Sequence, residues 1–449
     1  MDIYSQYKKE ITYLESLHNI SDIPWYGQAK HNPDIYKKRL RYFLKILGNP
    51  QRKIKNYIHI GGTSGKGSVA NYIANILVAS GKKTGLFTSP FVTETIEKYK
   101  INDHFISCKE FVNIINELKP AIDECATKSP YGVPSYFEIC YAIAILFFTQ
   151  NKCEYVVCEV GLGGEFDATN IVNKSRLSII THVDYDHTDI LGNTLNEIAQ
   201  TKSKIIKPNS VFMTAENRPA IRKIFKNECS LNNTKFYYIN TVAQDVKHIK
   251  NKFVFVYKKQ KYELNQWGQH QVSNAILAIE AAKELNINNE YIVNGLKNTK
   301  TPARFEIVNK RPCIILDVAH NPDKIKTTLD NLGLLNYNKF YLVYASAANK
   351  DTESIAKLFA NLADQIYITR FFNIERKCAS PRVLYKSWVK YNKKDKIKIS
   401  LDPYIALEKT IKRAKPSDCI LIVGSFYLIG ELRKKWYSSE KILRTKKVI

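Results

Sequence analysis

Apolar and polar residues alternate along this chain in two rhythms. Short apolar runs at 57–60, 84–88, 155–160 and 178–183 have the length and β-branched content of buried strands. Between them lie longer stretches whose apolar residues recur at helical spacing. Strand and helix in alternation predict α/β units around a mainly parallel sheet. The pattern breaks near 297–302, a polar segment (KNTKTP) closed by a proline. Beyond it, strands are expected again at 313–317, 340–345, 365–369 and 419–423, with helices between. Two α/β domains are therefore expected, residues 1–300 and 301–449, the second smaller and Rossmann-like. No internal repeat or heptad run competes with this reading.

Composition narrows the function classes. The longest apolar stretch, 141–148 (YAIAILFF), falls far short of the roughly 20 residues that span a bilayer. The start of the chain (MDIYSQYKKE) lacks a secretory pattern. Nine cysteines without a CxxC pair argue against both zinc and a disulfide framework, so a soluble protein of the cytoplasm is expected, with no membrane partner. The formal net charge of +26 raises nucleic acid, an anionic membrane or an acidic substrate as partners. The charge is spread, however, and the basic tail at 431–449 is not interleaved with aromatics as a base-stacking platform would be. It reads as a solvated basic surface on a last helix, not as a nucleic-acid site.

The strongest local signal is Ile60-Gly61-Gly62-Thr63-Ser64-Gly65-Lys66-Gly67-Ser68, after an apolar strand and before a helix expected at 69–80. Glycines let backbone N–H groups close on phosphate oxygens, and the helix N-terminus adds positive potential. Lys66 is placed to reach the terminal phosphates and Ser68 to support nucleotide-bound Mg²⁺. Thr63, Ser64, Gly65, Lys66, Gly67 and Ser68 are thus candidates for ATP binding, and residues 1–300 become a P-loop ATPase-type domain. The spacing departs from the common Walker form: Ile60 holds the usual first glycine position, and Gly67 follows Lys66.

That departure, G-T-x-G-K-G-S, resembles the ATP loop of the Mur ligase superfamily, particularly its folate branch of folylpolyglutamate synthases and bifunctional dihydrofolate synthase/folylpolyglutamate synthases. Further motifs follow in that family's order. They are Thr88-Ser89-Pro90-Phe91, Glu159 to Gly164 (EVGLGG) with Asp167-Ala168-Thr169-Asn170, and Asp186-His187 with Leu191-Gly192. After them come His270-Gln271 with Asn274-Ala275, Ala303-Arg304-Phe305, Asp317 to Pro322 (DVAHNP) and Gly424-Ser425-Phe426. The resemblance covers the chain from about Tyr13 to Leu428.

The residues support part of this chemistry by themselves. A carboxylate at Glu159, ending a strand before a glycine-rich turn, faces a cleft. With a hydroxyl and the His187 imidazole it makes a site for a divalent cation that keeps its waters. Ser135 and Glu138 have capping-box spacing, as do Thr194 and Glu197. The resemblance implies the rest. Ser89, Glu159 and His187 would hold Mg²⁺, with two ions expected in all. Lys202 would be carbamylated, although the family's EKAG reads TKSK here and Lys204 adds a cation. Ser135, Tyr136, Phe137 and Glu138, with Phe166, Asp167 and Ala168, would wall a pterin pocket. Asn274 would contact the adenine, Arg304 the phosphates and Asp317 the ribose, at the far side of the nucleotide. His320 and Ser425 would orient the incoming glutamate.

The implied activity is ATP-dependent ligation of L-glutamate to dihydropteroate or a reduced folate, by a monomer. Three alternatives remain at this point, one of them a non-catalytic nucleotide-binding module, which the intact metal residues weaken. A Mur-type cell-wall ligase lacks support from the EVGLGG signature, and a basic nucleic-acid-dependent P-loop ATPase predicts hydrolysis stimulated by DNA or RNA with steep salt dependence.

Overall fold

The computed structural model describes residues 2–17, 34–249, 251–373 and 376–448. They divide into two units, one of Met1–Pro90, Ile96–Asn265 and Gln271–Lys300, the other of Phe91–Thr95, Gln266–His270 and Thr301–Ile449.

The first unit is built on eight strands: β1 Asn56–Gly61, β2 Thr84–Phe87, β3 Tyr99–Ile101, β4 His104–Phe105, β5 Tyr155–Glu159, β6 Leu177–Ile180, β7 Val211–Thr214 and β8 Lys235–Tyr238. Their order is β4-β3-β2-β5-β1-β6-β7-β8. All neighbours run parallel except β2–β3 and β3–β4. Strands β1 and β5 are buried almost throughout, as continuous apolar runs in a parallel sheet require. The chain leaves β1 toward β2, beyond β5, and leaves β5 toward β6, on the other side of β1. The loops after β1 and β5 therefore part, opening a crevice at the carboxyl ends of these strands. Helix Tyr136–Gln150 is apolar nearly all round and almost wholly buried.

A second sheet of this unit was not legible in the pattern: β9 Gln244–Ile249, β10 Lys252–Tyr257 and β11 Gln260–Leu264 form an antiparallel meander. Its β10–β11 turn, Lys258-Lys259, has both residues at positive φ, a geometry that sequence normally advertises with Asn-Gly. Two lysines carry no such signal.

The other unit has β12 Glu306–Lys310, β13 Cys313–Asp317, β14 Phe340–Tyr344, β15 Gln365–Ile368, β16 Ile397–Ile399 and β17 Cys419–Val423. They lie in the order β12-β13-β17-β14-β15-β16, with only β12–β13 antiparallel. A core of Leu316, Val343, Ile420, Ile422, Leu428 and Leu432 fills the space beneath the sheet.

Expected strands match to within a few residues. The largest difference is at 178–183, where the strand ends at Ile180 and the next residues bond to the glycine loop instead. The helix after that loop starts at Lys66, not 69, and ends at Ala79. The tail departs from expectation. It holds two helices, Phe426–Arg433 and Ser439–Thr445, with Ile449 outside the described residues. Arg433 is buried and not solvated: its guanidinium donates to both Glu306 oxygens at 2.9 Å and to Thr93 Oγ1 at 3.2 Å. A buried guanidinium needs such partners.

Candidate active site

The glycine loop leaves β1 and turns into helix Lys66–Ala79 with Gly65 as its N-cap, at φ +85°. Only glycine suits the position, since a Cβ there would also strike Asn274 Oδ1. Asn274, expected at the far side of a nucleotide, thus stands against the loop itself. The loop is tied to the segment after β6. Thr63 N–H donates to His182 O at 2.6 Å, and Thr63 Oγ1 both donates to Asp184 O (3.1 Å) and accepts from Asp184 N–H (2.9 Å). Thr181 Oγ1 donates to Ser64 O at 2.6 Å. Ser68 is buried in the first turn of the helix.

Two lysines converge on one carbonyl. Lys66 Nζ donates to Gly62 O at 3.0 Å, and Lys202 Nζ donates to the same oxygen at 3.2 Å. Lys202 is buried, on the helix Leu195–Ser203 that opens with the Thr194–Glu197 capping box. Burial first, then the Lys66 charge, pushes its amine down to about 7, against the opposing pull of Asp186 and Asp167. The neighbouring Lys204, expected to crowd this amine, lies past the helix end and pairs with Glu228 at 2.7 Å. Lys66, Lys202, Asp186 and His187 line a cavity of about 40 Å³ together with the glycine turn after β5.

Glu159, at the end of β5, is buried and accepts from Ser89 N–H at 3.2 Å. A Cβ at Gly67 would come within 3.3 Å of this carboxylate, so glycine there leaves the anion close against the helix start. Ser89 and Glu159 are thus brought together, while His187 lies on the cavity wall with the two lysines. No cluster of three His, Cys, Asp or Glu side chains able to hold a metal occurs among the described residues. The expected set has a hydroxyl as its third donor, and a carboxylate, hydroxyl and imidazole fit a hard divalent cation.

The expected pterin wall divides in two. Tyr136, Phe137 and Phe166 are half-buried rings. Lys98 Nζ donates to Tyr136 Oη at 3.0 Å, Phe137 packs on Gly161, and Lys37 lies 4.8 Å over Phe166. The two carboxylates expected in the wall are spent on the chain. Glu138 completes the capping box with Ser135 and accepts from Arg39 at 2.8 and 3.1 Å. Asp167, raised by burial, accepts from Leu162 N–H at 2.8 Å, Thr169 N–H at 3.0 Å and Thr169 Oγ1 at 2.5 Å. It ties the glycine turn to the buried short turn that begins at Ala168. Both are buried anions, and buried anions take their hydrogen bonds from whatever donors enclose them.

In the other unit, Asp317 ends β13 and accepts from Ala319 N–H (2.9 Å) and Thr328 Oγ1 (3.0 Å), bracing the turn that follows. Arg304 lies 5.0 Å over the Phe426 ring, and the His320 ring is 5.9 Å from the same ring. With Nδ1 as donor to Val318 O at 2.8 Å, His320 turns Nε2 toward Lys324 Nζ, 3.4 Å away. Ser425 Oγ caps the helix Phe426–Arg433 by accepting from Tyr427 N–H.

Residues 60–282 match the Mur ligase middle domain, and residues 303–426 match the Mur ligase glutamate ligase domain. The dihydrofolate synthase/folylpolyglutamate synthase of Bacillus subtilis is 30% identical over 430 residues, covering 91% of this chain and 97% of that protein. This chain belongs to the dihydrofolate synthase/folylpolyglutamate synthase family of Mur ligases. It is an ATP-dependent ligase. The crystal structure of folylpolyglutamate synthase from Thermotoga maritima has a TM-score of 0.80 at 28% identity, covering 100% of this chain and 99% of that one. A bifunctional folylpolyglutamate synthase/dihydrofolate synthase solved with Mn, AMPPNP and L-glutamate shares the fold, with a TM-score of 0.78 at 22% identity and coverage of 97% and 99%.

Sequence reading of this family member missed the residues that hold its loops. Glu216, fully buried just after β7, accepts from Val183 N–H at 3.1 Å and from Arg218 Nε and Nη2 at 2.7 Å each. Arg218 also donates to Val183 O, and His182 Nδ1 stands 3.4 Å from the carboxylate. Burial alone would raise this carboxyl, but the Arg218 and Val183 hydrogen bonds outweigh it and hold it at about 2. Glu216 thereby pins the segment that in turn grips Thr63. Its only sequence signal is the short spacing Glu216-Asn217-Arg218.

Proposed function

We propose that this ligase joins L-glutamate to the carboxylate of dihydropteroate and of a reduced folate. The observation that carries the reading is the convergence of Lys66 and Lys202 on Gly62 O, next to the β1 and β5 turns. The substrate carboxylate oxygen attacks the γ-phosphorus of ATP, giving an acyl phosphate and ADP. The glutamate amine then attacks the acyl carbon, loses a proton, and the tetrahedral intermediate expels phosphate. Catalysis of this kind is positioning and charge stabilisation, so no nucleophilic triad is needed.

The loop residues Thr63 to Ser68 cradle the phosphates, and Lys66 swings from Gly62 O to the transferring group. Asn274 and Asp317 are assigned to the nucleoside, Arg304 to the phosphates, and His320 and Ser425 to the incoming glutamate. Tyr136, Phe137 and Phe166 supply ring faces for a pterin, with Ser135, Glu138, Asp167 and Ala168 holding those rings in place. Ser89, Glu159 and His187 would hold one of the two Mg²⁺ ions of this reading, which when bound would supply charge neutralisation at the phosphate oxygens. A Lys202 amine near neutrality has the lone pair that adds CO₂, releasing a proton and leaving a carbamate anion beside Lys66. The enzyme works as a cytoplasmic monomer.

One assay tests this reading: purified protein with MgATP and L-glutamate, each pterin acceptor supplied separately. Glutamylated product is expected from both acceptors. Product from one alone removes the bifunctional claim, and product from neither removes the reading.

A further inference from the structure

The first unit holds a second concavity besides the nucleotide crevice. It is a cavity of about 360 Å³ whose wall carries Arg41, Lys45 and Arg52, with Asn49, Gln51 and Asn173. Among the described residues no acidic side chain lines it. Arg41 and Lys45 are one turn apart on helix Asp34–Ile46 and share a face, and Arg52 comes from the short turn Pro50–Lys53. None of these three cations makes an ion pair or side-chain hydrogen bond with another described residue. Other cations of the described residues are paired: Lys204 has Glu228, Lys258 has Glu280, and Arg433 has Glu306.

Two further features mark the place. Gln51 Nε2 donates to Asn49 Oδ1 at 3.3 Å, which leaves Gln51 Oε1 enclosed without a donor. An enclosed acceptor of this kind calls for an N–H or O–H from outside the chain. The positive field also reaches deeper: the nearby Lys207 amine is pushed down to about 8, by burial first and then by Lys37 and Arg41.

The position separates this cavity from the catalytic crevice. Its Asn49–Arg52 wall precedes β1, and its Ile171 and Asn173 wall precedes β6, the strand paired with β1. The glycine loop leaves the opposite end of β1, about 16 Å of strand away. We propose that this cavity is a second anion site, built for a small ligand with at least two negative charges and a hydrogen-bond donor. Arg41, Lys45 and Arg52 take the charges, and Gln51 Oε1 takes the donor. A chain of γ-linked glutamates and a hydroxyl-bearing phosphate ester share this chemistry.

Isothermal titration calorimetry on the full chain, with the nucleotide site saturated by ADP, tests the proposal. The titrants are tri-γ-glutamate and fructose 1,6-bisphosphate, run separately at low salt. At least one is expected to bind with Kd below about 1 mM, weakened about tenfold or more in the Arg41→Ala/Arg52→Ala double variant. ADP affinity and Tm should be unchanged, since both arginines are exposed. The titrant that binds identifies the ligand source as carboxylate or phosphate. Heat from neither titrant, or equal binding by the double variant, would overturn the proposal. The second result would place tri-γ-glutamate in the catalytic crevice, so this outcome is independent of whether the ligation assay succeeds.

Discussion

Two amines on one carbonyl define the chemistry at the level of single residues. Lys66 was legible from its motif, because strand, glycine loop, lysine and helix come in order along the chain. Lys202 was legible only through the resemblance; its burial and its contact with Gly62 depend on packing across 140 residues of sequence. That packing has a measurable consequence. The Lys202 amine falls from the ordinary 10.5 to about 7, so between these values the unfolded chain holds a proton that the folded chain lacks. Stability then rises with pH across that window. Melting curves of wild type and Lys202→Met should therefore diverge in favour of wild type as pH climbs from about 7 to about 10. A pH-independent difference would show that the amine titrates normally. A second substitution separates binding from folding: Lys66→Ala is expected to lower acceptor-dependent ADP release by about 100-fold or more with Tm preserved. Near-normal turnover would sink the phosphate-loop assignment.

Whole segments follow the same logic. The apolar runs named the parallel strands to within a few residues, since a strand buried on both faces must be apolar along its length. They could not reveal that 181–184 abandons β6 to clasp the glycine loop, because that choice is made by partners on β1 and after β7. Glu216 and Arg218 secure this clasp. Glu216→Gln should raise KM for ATP about tenfold and leave KM for glutamate within about twofold, while Glu216→Asp recovers part of the loss. Equal changes in both KM values, tracking a fall in Tm, would reduce Glu216 to a general stabiliser. The meander β9–β11 escaped notice for a different reason: its tightest turn is made by lysines, which adopt left-handed conformations at a cost that packing must offset.

Across the molecule, a net charge of +26 sets the solution behaviour but not the reaction. No helix among the described residues is long and apolar enough to cross a membrane. Substrate-dependent ADP release is expected to be indifferent to added DNA or RNA; stimulation by either would revive a nucleic-acid-driven ATPase. The basic tail is also more structural than its composition suggested. Arg433→Ala leaves the half-buried Glu306 carboxylate with the Ala303 N–H but without its guanidinium, and should destabilise the second unit by about 1.5–3 kcal/mol, read as a lower denaturant midpoint.

By itself the sequence determined what is local or strictly ordered: alternating strands and helices, the capping boxes, the loop that takes phosphates, and the succession of motifs that places the chain among folate-type ligases. These survive because backbone preference and residue order are properties of short stretches. Tertiary structure decided which charges are free to act. Asp167, Glu138 and Asp317, expected as ligand contacts from the resemblance, also accept from donors that only folding brings within 3.1 Å. Lys202, expected from the resemblance to carry a carbamate, has its amine pushed down to about 7, while Arg41, Lys45 and Arg52 face a cavity lined by no acidic side chain among the described residues. Protonation and hydrogen-bond commitment are set by the groups that fill the space around a side chain, and those groups come from everywhere in the sequence.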